Sequence, residues 1–262
     1  MKKLEHSRSM LSIAVAASAL FAGLALAADT PVTKKVVKPG TFCDTQDHKA
    51  CQEAVTPQQV LDRFKQGNTR FISGRGTQRN YLQQIKSTAA GQYPLASIVS
   101  CIDSRAPAEI LFDQGIGDLF NARVAGNIVN EDILGSLEFA SKVAGSKLII
   151  VLGHTSCGAI KGACDDAKLG NLTALISKIK PAVEKVPNDG KDRSSKNAAF
   201  VELVAERNVH MTVDTIRVKS PVLKEMEEKG EIKIVGAMYD VKTGKVMFYD
   251  TPAAAPAAAK KI

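Results

Sequence analysis

The sequence contains no tryptophan, and aromatic residues make up only 5% of its 262 residues. So few aromatic side chains argue against a nucleic-acid groove lined by stacking rings. Five cysteines are too few for a scaffold built on disulfides at this length. Apolar residues make up 45% of the chain and charged residues 24%, which excludes a disordered or collagen-like chain and leaves enough material for a sizeable core.

Long apolar runs are absent except near the N-terminus. Basic residues precede an apolar stretch over residues 10–28, and Ala27 ends a small-residue cleavage signal. We therefore predict a signal peptide at residues 1–27, export to a bacterial periplasm and no membrane partner after cleavage; the alternative is an uncleaved membrane anchor. Residues 1–27 carry three positive charges and one negative charge, so cleavage would lower the net charge from +8 to +6.

The rest of the chain divides into an arm, one domain and a tail. Residues 28–55 are polar and form an N-terminal arm. Residues 251–262 are rich in Ala and Pro, a composition typical of a disordered tail. Residues 56–250 lie between them and have the size of a single domain.

Helix and strand signals alternate along this domain. Thr56 begins a capping box that opens a helix. Residues 95–100 and 147–152 are short apolar runs, as expected for strands covered on both faces of a parallel sheet. Two further strands, at residues 231–239 and 245–249, are joined by a tight turn. The pattern predicts an α/β fold with a mainly parallel central β-sheet, flanking helices, an antiparallel C-terminal edge hairpin and an N-terminal helical arm.

Two short segments carry the candidate chemistry: residues 100–105 (SCIDSR) and residues 153–158 (GHTSCG). Each follows a predicted buried strand, and ligand sites in parallel sheets gather at the carboxyl ends of strands. We therefore expect both segments to face one site. Gly153 and Gly158 have the glycine spacing of a phosphate-binding P-loop, but the Lys and Ser/Thr that such a loop requires are missing.

Two thiols, one imidazole and one carboxylate suit tetrahedral zinc, here Cys101, His154, Cys157 and Asp103. Extended backbone would direct Cys101 and Asp103 to the same side, and a strand-to-helix turn would aim His154 and Cys157 at one point. Three protein ligands would leave a place for water or substrate, whereas Asp103 in that place would close the site. The alternative is that the cysteines are ordinary buried side chains and that Asp103 pairs with Arg105 at the surface.

At these residues the sequence resembles the β-class carbonic anhydrases. The resemblance covers residues 56–250, and the combination of Cys-x-Asp-x-Arg with His-x-x-Cys in this order is specific. The matching segments are CIDSR (101–105), QGIGDLFNARVAGN (114–127), SLEFA (136–140), GHTSCGAIKG (153–162) and KIVGAMYDVKTGKV (233–246).

The resemblance implies zinc-dependent, reversible hydration of CO2 to bicarbonate and a proton. Cys101, His154 and Cys157 would bind zinc, and zinc-bound hydroxide would attack CO2. Asp103 and Arg105 would form a catalytic dyad in which Asp103 orients the hydroxide and Arg105 holds the carboxylate away from the metal. In a closed state, which some family members adopt, Asp103 becomes the fourth zinc ligand.

The resemblance also implies a homodimer or tetramer with the active site at the dimer interface. Gln92 would donate to a substrate oxygen across that interface, and the backbone of Gly158 would line the pocket. A bicarbonate-inhibition pocket that uses tryptophan is not expected, because the chain has none. Carbon disulfide or carbonyl sulfide as substrate, and a non-catalytic zinc-binding role, stay open as alternatives. The basic residues are spread out, so we expect no nucleic-acid partner.

The other cysteines need a separate interpretation. Cys43 and Cys51 both lie in the arm, and in an oxidising compartment they would form a disulfide. Free thiols, an intermolecular bridge and a metal site that includes His48 are the alternatives. Cys164 is expected to be a thiol of the core or of the pocket wall.

Overall fold

The computed structural model describes residues 48–249, in which five strands form one sheet flanked by ten α-helices. The strands are β1 Ala96–Ser100, β2 Leu119–Arg123, β3 Leu148–His154, β4 Lys233–Tyr239 and β5 Val246–Tyr249. The helices are α1 His48–Ala54, α2 Pro57–Ile72, α3 Tyr81–Thr88, α4 Ala108–Leu111, α5 Glu131–Glu138, α6 Gly158–Cys164, α7 Gly170–Ser177, α8 Lys180–Lys185, α9 Ala198–Lys219 and α10 Pro221–Glu228. A 3-10 turn at Ala125–Asn127 and a π turn at Phe139–Val143 are also present.

The strand order in the sheet is β2-β1-β3-β4-β5, with β1 to β4 parallel and β5 antiparallel to β4. Every residue of β1 and β3 is buried, because apolar layers cover both faces of the sheet. Val99 and Val151 belong to the layer that contains α9, while Ile98 and Ile150 belong to the layer that contains α2. The predicted parallel sheet with an antiparallel C-terminal strand is confirmed.

Local sequence signals account for most element boundaries, with two instructive exceptions. Gln59 and Thr56 exchange the two hydrogen bonds of the capping box at the start of α2, at 3.2 and 2.9 Å. β3 runs two residues past its predicted end at 152, because its pairing with β4 continues to His154 opposite Tyr239. α3 was not predicted: its eight residues are too few to establish a helical period in the sequence, and its apolar side chains Tyr81, Leu82 and Ile85 are exposed.

The described end of the N-terminal arm is helical, as predicted, and is packed against the domain. Cys51 and Val55 are buried in the same apolar layer as α2. The side-chain amide of Gln52 donates to the carbonyl oxygens of Pro94 and Ala144, at 2.7 and 2.8 Å. α1 is thereby tied to the chain that leads into β1 and to the chain that leads into β3.

Several predictions concern residues outside the described range. The signal peptide at residues 1–27, most of the arm including Cys43, and the tail at residues 251–262 lie beyond residues 48–249. Within residues 48–249, none of the helices combines the length and the apolar character needed to span a bilayer.

α9 packs closely on β3 and β4 at two glycines. A Cβ at Gly153 would lie 2.5 Å from Val209 Cγ2, and a Cβ at Gly236 would lie 2.8 Å from Val209 Cγ1. Val209 is fully buried between helix and sheet. The missing side chains therefore let α9 approach the strand that ends in His154.

Gly153→Ala is expected to lower the free energy of unfolding by about 1–3 kcal/mol, because the added methyl group overlaps Val209. Val209→Ala is also expected to be destabilising, because it leaves a cavity. In the double variant the methyl group occupies part of that cavity, so the combined loss should be smaller than the sum of the two single losses. Urea unfolding of the four proteins measures this coupling, and strictly additive losses would contradict it.

Candidate metal centre

The two chemistry-bearing segments meet at the carboxyl edge of the parallel sheet. Cys101 directly follows β1, and His154 is the last residue of the neighbouring strand β3. Cys157 is the N-cap of α6, reached through a turn in which Ser156 has a φ of +58°. The side chains of Cys101, His154 and Cys157 are all buried.

The spacing of these three side chains fits a metal ion. The sulfur atoms of Cys101 and Cys157 are 4.0 Å apart, and the potential ligand atoms of Cys101, His154 and Cys157 lie within 4.8 Å of one another. Two thiolates on tetrahedral zinc, each about 2.3 Å from the ion, would be about 3.8 Å apart. Asp103 is not part of this cluster, which is the one group of this kind found within residues 48–249.

The hydrogen bonding of His154 leaves one ring nitrogen available. Nδ1 lies 2.9 Å from the carbonyl oxygen of Thr155, which can only accept, so Nδ1 carries the proton and donates it. Nε2 is buried and has no hydrogen-bond partner among the described residues. A buried polar atom without a partner is costly, and a metal ion bound to Nε2 would remove that cost. The donor set therefore fits a metal.

The two thiols titrate as a coupled pair. A hydrogen bond from the Cys157 thiol lowers the pKa of Cys101 despite its burial, and the backbone N–H of Gly126 donates to the Cys101 sulfur at 3.4 Å. The same contact with Cys101, together with burial, raises the pKa of Cys157. The first proton is therefore lost easily and the second with difficulty. A cation between the sulfur atoms would displace both protons, because thiols bind metals as thiolates.

Asp103 and Arg105 form a two-pronged ion pair beside the cluster. Nε and Nη2 of Arg105 donate to the two carboxylate oxygens of Asp103 at 2.9 and 2.7 Å, and the backbone N–H of Arg105 donates to Oδ1 at 3.0 Å. These hydrogen bonds hold the pKa of Asp103 well below its usual range. Oδ2 of Asp103 lies 3.8 Å from Nε2 of His154. An ionised carboxylate of fixed orientation thus stands next to the cluster.

Two residues that the sequence analysis did not single out hold this loop in place. Arg123, at the end of β2, donates to the carbonyl oxygens of Cys101 and Asp103 at 2.9 and 2.5 Å. Tyr239, at the end of β4, donates its hydroxyl hydrogen to the carbonyl oxygen of Arg105 at 3.2 Å. The one indication of Arg123 and Tyr239 in the sequence is that they lie inside the segments 114–127 and 233–246, which carry the family resemblance.

Gln92 and Gly158 lie in different places relative to the cluster. Gln92 is exposed in the loop before β1, whereas Cys101 follows the other end of that strand. The five residues of β1, at about 3.3 Å each, separate Gln92 from Cys101, so Gln92 does not reach the cluster of its own protomer. Gly158 is the first residue of α6, directly after Cys157, and open space surrounds the position that its Cβ would take.

The cysteines outside the cluster are in distinct environments. Cys164 is a free, half-buried thiol at the end of α6, and burial raises its pKa to about 11. Cys51 is buried and disulfide-bonded. Cys43 lies outside the described residues, so its pairing with Cys51 stays a prediction.

Known proteins share both the sequence pattern and the fold. The carbonic anhydrase family model matches residues 96–246. Carbonic anhydrase 2 of Mycobacterium tuberculosis is 37% identical over 193 residues, which is 71% of this chain and 90% of that protein. The β-carbonic anhydrase CafA of Aspergillus fumigatus has a TM-score of 0.58 at 25% identity and covers 74% of this chain and 90% of its own. The β-carbonic anhydrase CcaA has a TM-score of 0.59 at 21% identity, with 73% and 86% covered.

Fold and site together define an α/β protein with a buried Cys–His–Cys cluster at the carboxyl edge of its sheet. The matched range includes both segments that form this cluster. The chain belongs to the β-class carbonic anhydrase family.

Proposed function

We propose that this protein binds zinc through Cys101, His154 and Cys157 and catalyses the reversible hydration of CO2 to bicarbonate. The observation that carries the proposal is the unpartnered Nε2 of His154, buried beside two thiols and next to the Asp103–Arg105 pair. Thiolate and imidazole ligands favour zinc among the common biological ions. Mere storage of zinc would not require an oriented carboxylate at its edge.

The chain's own residues would supply binding and orientation. Cys101, His154 and Cys157 would hold the zinc ion, which would supply hydroxide near neutral pH by lowering the pKa of water to about 7. Asp103 stays ionised in that range and offers a carboxylate oxygen as a hydrogen-bond acceptor. Arg105 holds both oxygens of that carboxylate. If Asp103 were to bind the metal, as the closed state would require, its carboxylate would have to leave the hydrogen bonds with Arg105.

Stopped-flow CO2 hydration tests the proposal, combined with metal analysis of the purified protein. We expect about one zinc per chain, loss of activity on chelation and recovery on addition of zinc. Protein with full zinc occupancy but no hydration activity between pH 6 and 9 would reject the enzymatic proposal. Activity that survives complete removal of the metal would reject the metal-dependent mechanism.

We also propose that the protein works as a homodimer, in which Gln92 of one protomer serves the site of the other. Gln92 is exposed and lies away from its own cluster. Tyr81, Ile110 and Ile116 line a groove of about 410 Å³ although each is 40–57% exposed. Exposed apolar side chains grouped in this way are typical of a protein interface, here with a second copy of the chain.

Mixed dimers test the assignment of Gln92. We expect Gln92→Ala and Asp103→Asn homodimers each to lose most of their activity. A mixed dimer contains one Gln92→Ala protomer and one Asp103→Asn protomer. The site of the Gln92→Ala protomer then combines its own Asp103 with Gln92 from the other protomer. Random mixing should therefore restore about a quarter of wild-type activity, because half of the dimers are mixed and one of their two sites is intact. No recovery after verified subunit exchange would place Gln92 in its own protomer's site.

Export to the periplasm and a Cys43–Cys51 disulfide complete the proposal. They rest on the apolar N-terminal run and on an oxidising compartment for the arm. Cell fractionation and the mass of the mature N-terminus test the predicted cleavage after Ala27. Non-reducing peptide mapping of periplasmic material tests the disulfide, and free Cys43 in that material would exclude it.

A further inference from the structure

α9 contacts the loops on both sides of the candidate metal centre. The side-chain amide of Asn208, a buried residue of α9, donates to the carbonyl oxygen of Gly126 at 2.8 Å. The backbone N–H of Gly126 in turn donates to the sulfur of Cys101. This helix is therefore held at a defined position relative to the first cysteine.

Six residues earlier on α9, Glu202 reaches the other loop. Its carboxylate oxygen Oε1 accepts a hydrogen bond of 2.9 Å from the backbone N–H of Ser156. Ser156 stands between His154 and Cys157, so this contact lies in the middle of the His-x-x-Cys turn.

The turn needs such support because of its backbone conformation. Ser156 has a φ of +58°, which is the left-handed region that residues with a Cβ disfavour. Residues in that region persist only where the surroundings hold them. A hydrogen bond to a carboxylate is stronger than one to a neutral acceptor, so Glu202 is well suited to hold the turn.

We propose that Glu202 is a positioning residue for the metal centre: through Ser156 it sets the placement of His154 and Cys157 relative to Cys101. Glu202 touches neither substrate nor metal in this proposal. It acts on metal affinity by keeping the turn in the one conformation that directs both side chains to the cluster. The inference rests on the proposed function, because it presupposes that the cluster binds zinc.

Zinc affinity of the full-length protein, measured by competition with a chromogenic chelator, tests this role. We expect Glu202→Ala to bind zinc 10–100-fold more weakly, the range usual for residues that orient metal ligands. Glu202→Gln keeps an acceptor for the Ser156 N–H and should recover part of the loss. The matched control is Glu206→Ala, since Glu206 lies one turn further along α9 and its carboxylate lies 3.8 Å from Nε2 of His210, which is outside the cluster. The zinc affinity of Glu206→Ala should equal that of the wild type.

A second substitution separates positioning from general damage. Glycine adopts a positive φ without strain, so Ser156→Gly added to Glu202→Ala should restore part of the zinc affinity. Unchanged affinity in Glu202→Ala, an equal loss in Glu206→Ala, or no recovery from Ser156→Gly would each overturn the proposal. Wild-type protein that binds no zinc, or binds it without hydrating CO2, would instead defeat the proposed function, and the two failures are therefore distinguishable.

Discussion

Cys157→Ser is expected to abolish CO2 hydration almost completely, with a loss of about three orders of magnitude or more, and to release most of the zinc. Serine is a poor zinc ligand, and its hydroxyl does not ionise near neutral pH as a metal-bound thiol does. Without the ion, hydroxide would have to come from bulk water, whose pKa is far above the value of about 7 that zinc gives to bound water. Zinc content and stopped-flow kinetics measure the two losses on the same sample.

Cys164→Ser is the matched control for this substitution. Cys164 lies at the other end of α6 from Cys157, is also a free thiol and is outside the cluster. Its replacement should leave zinc content and the rate of hydration unchanged. If both serine variants lost zinc equally, the loss would reflect damage to α6 rather than removal of a ligand.

Arg105→Ala is expected to lower kcat/KM about 100-fold while zinc stays bound, the effect of a misplaced group close to the reacting atoms. Arg105 is half exposed and its guanidinium is bound to Asp103 through two hydrogen bonds, so its removal frees the carboxylate without opening a buried cavity. The freed carboxylate starts 3.8 Å from Nε2 of His154. Retention of zinc separates this outcome from that of Cys157→Ser.

The pH profile shows whether orientation or protonation causes the loss. Arg105 holds the pKa of Asp103 well below its usual range. Without Arg105 that pKa rises, but only towards the ordinary value of about 3.9, so the carboxylate stays ionised above pH 6. The 100-fold loss should therefore be constant between pH 6 and pH 9. Recovery of activity at higher pH would indicate protonation of Asp103 and contradict an orienting role for Arg105.

The same pair has a predictable effect on stability. The folded-state pKa of Asp103 lies below its unfolded value, so the pair stabilises the folded state at every pH above about 4. This contribution is lost only as the pH falls below that value. Acid denaturation should therefore begin at a higher pH in Arg105→Ala than in the wild type.

The fold was predictable where local patterns repeat. The apolar runs that became β1 and β3 are continuous, because both faces of the sheet are covered, and the capping box of Thr56 marks the start of α2. α3 was not predicted because eight residues are too short a segment for a helical apolar period to be recognised. The last two residues of β3 were not predicted, because a Gly-His pair is not typical of a strand. They are part of the strand because they pair with β4.

Residue spacing was enough to identify the candidate ligands, because the Cys-x-Asp and His-x-x-Cys patterns are local and place each pair of side chains within one strand end or one turn. How the two pairs meet could not be read from spacing, since it depends on β1 and β3 being neighbours in the folded sheet. The tertiary structure also decided that Arg123, Tyr239 and Glu202 contact the site loops. These contacts join residues 20 to 134 positions apart in the chain. At such separations along the chain, the distance between two residues depends on the register of the strands and the docking of α9, and not on residue spacing.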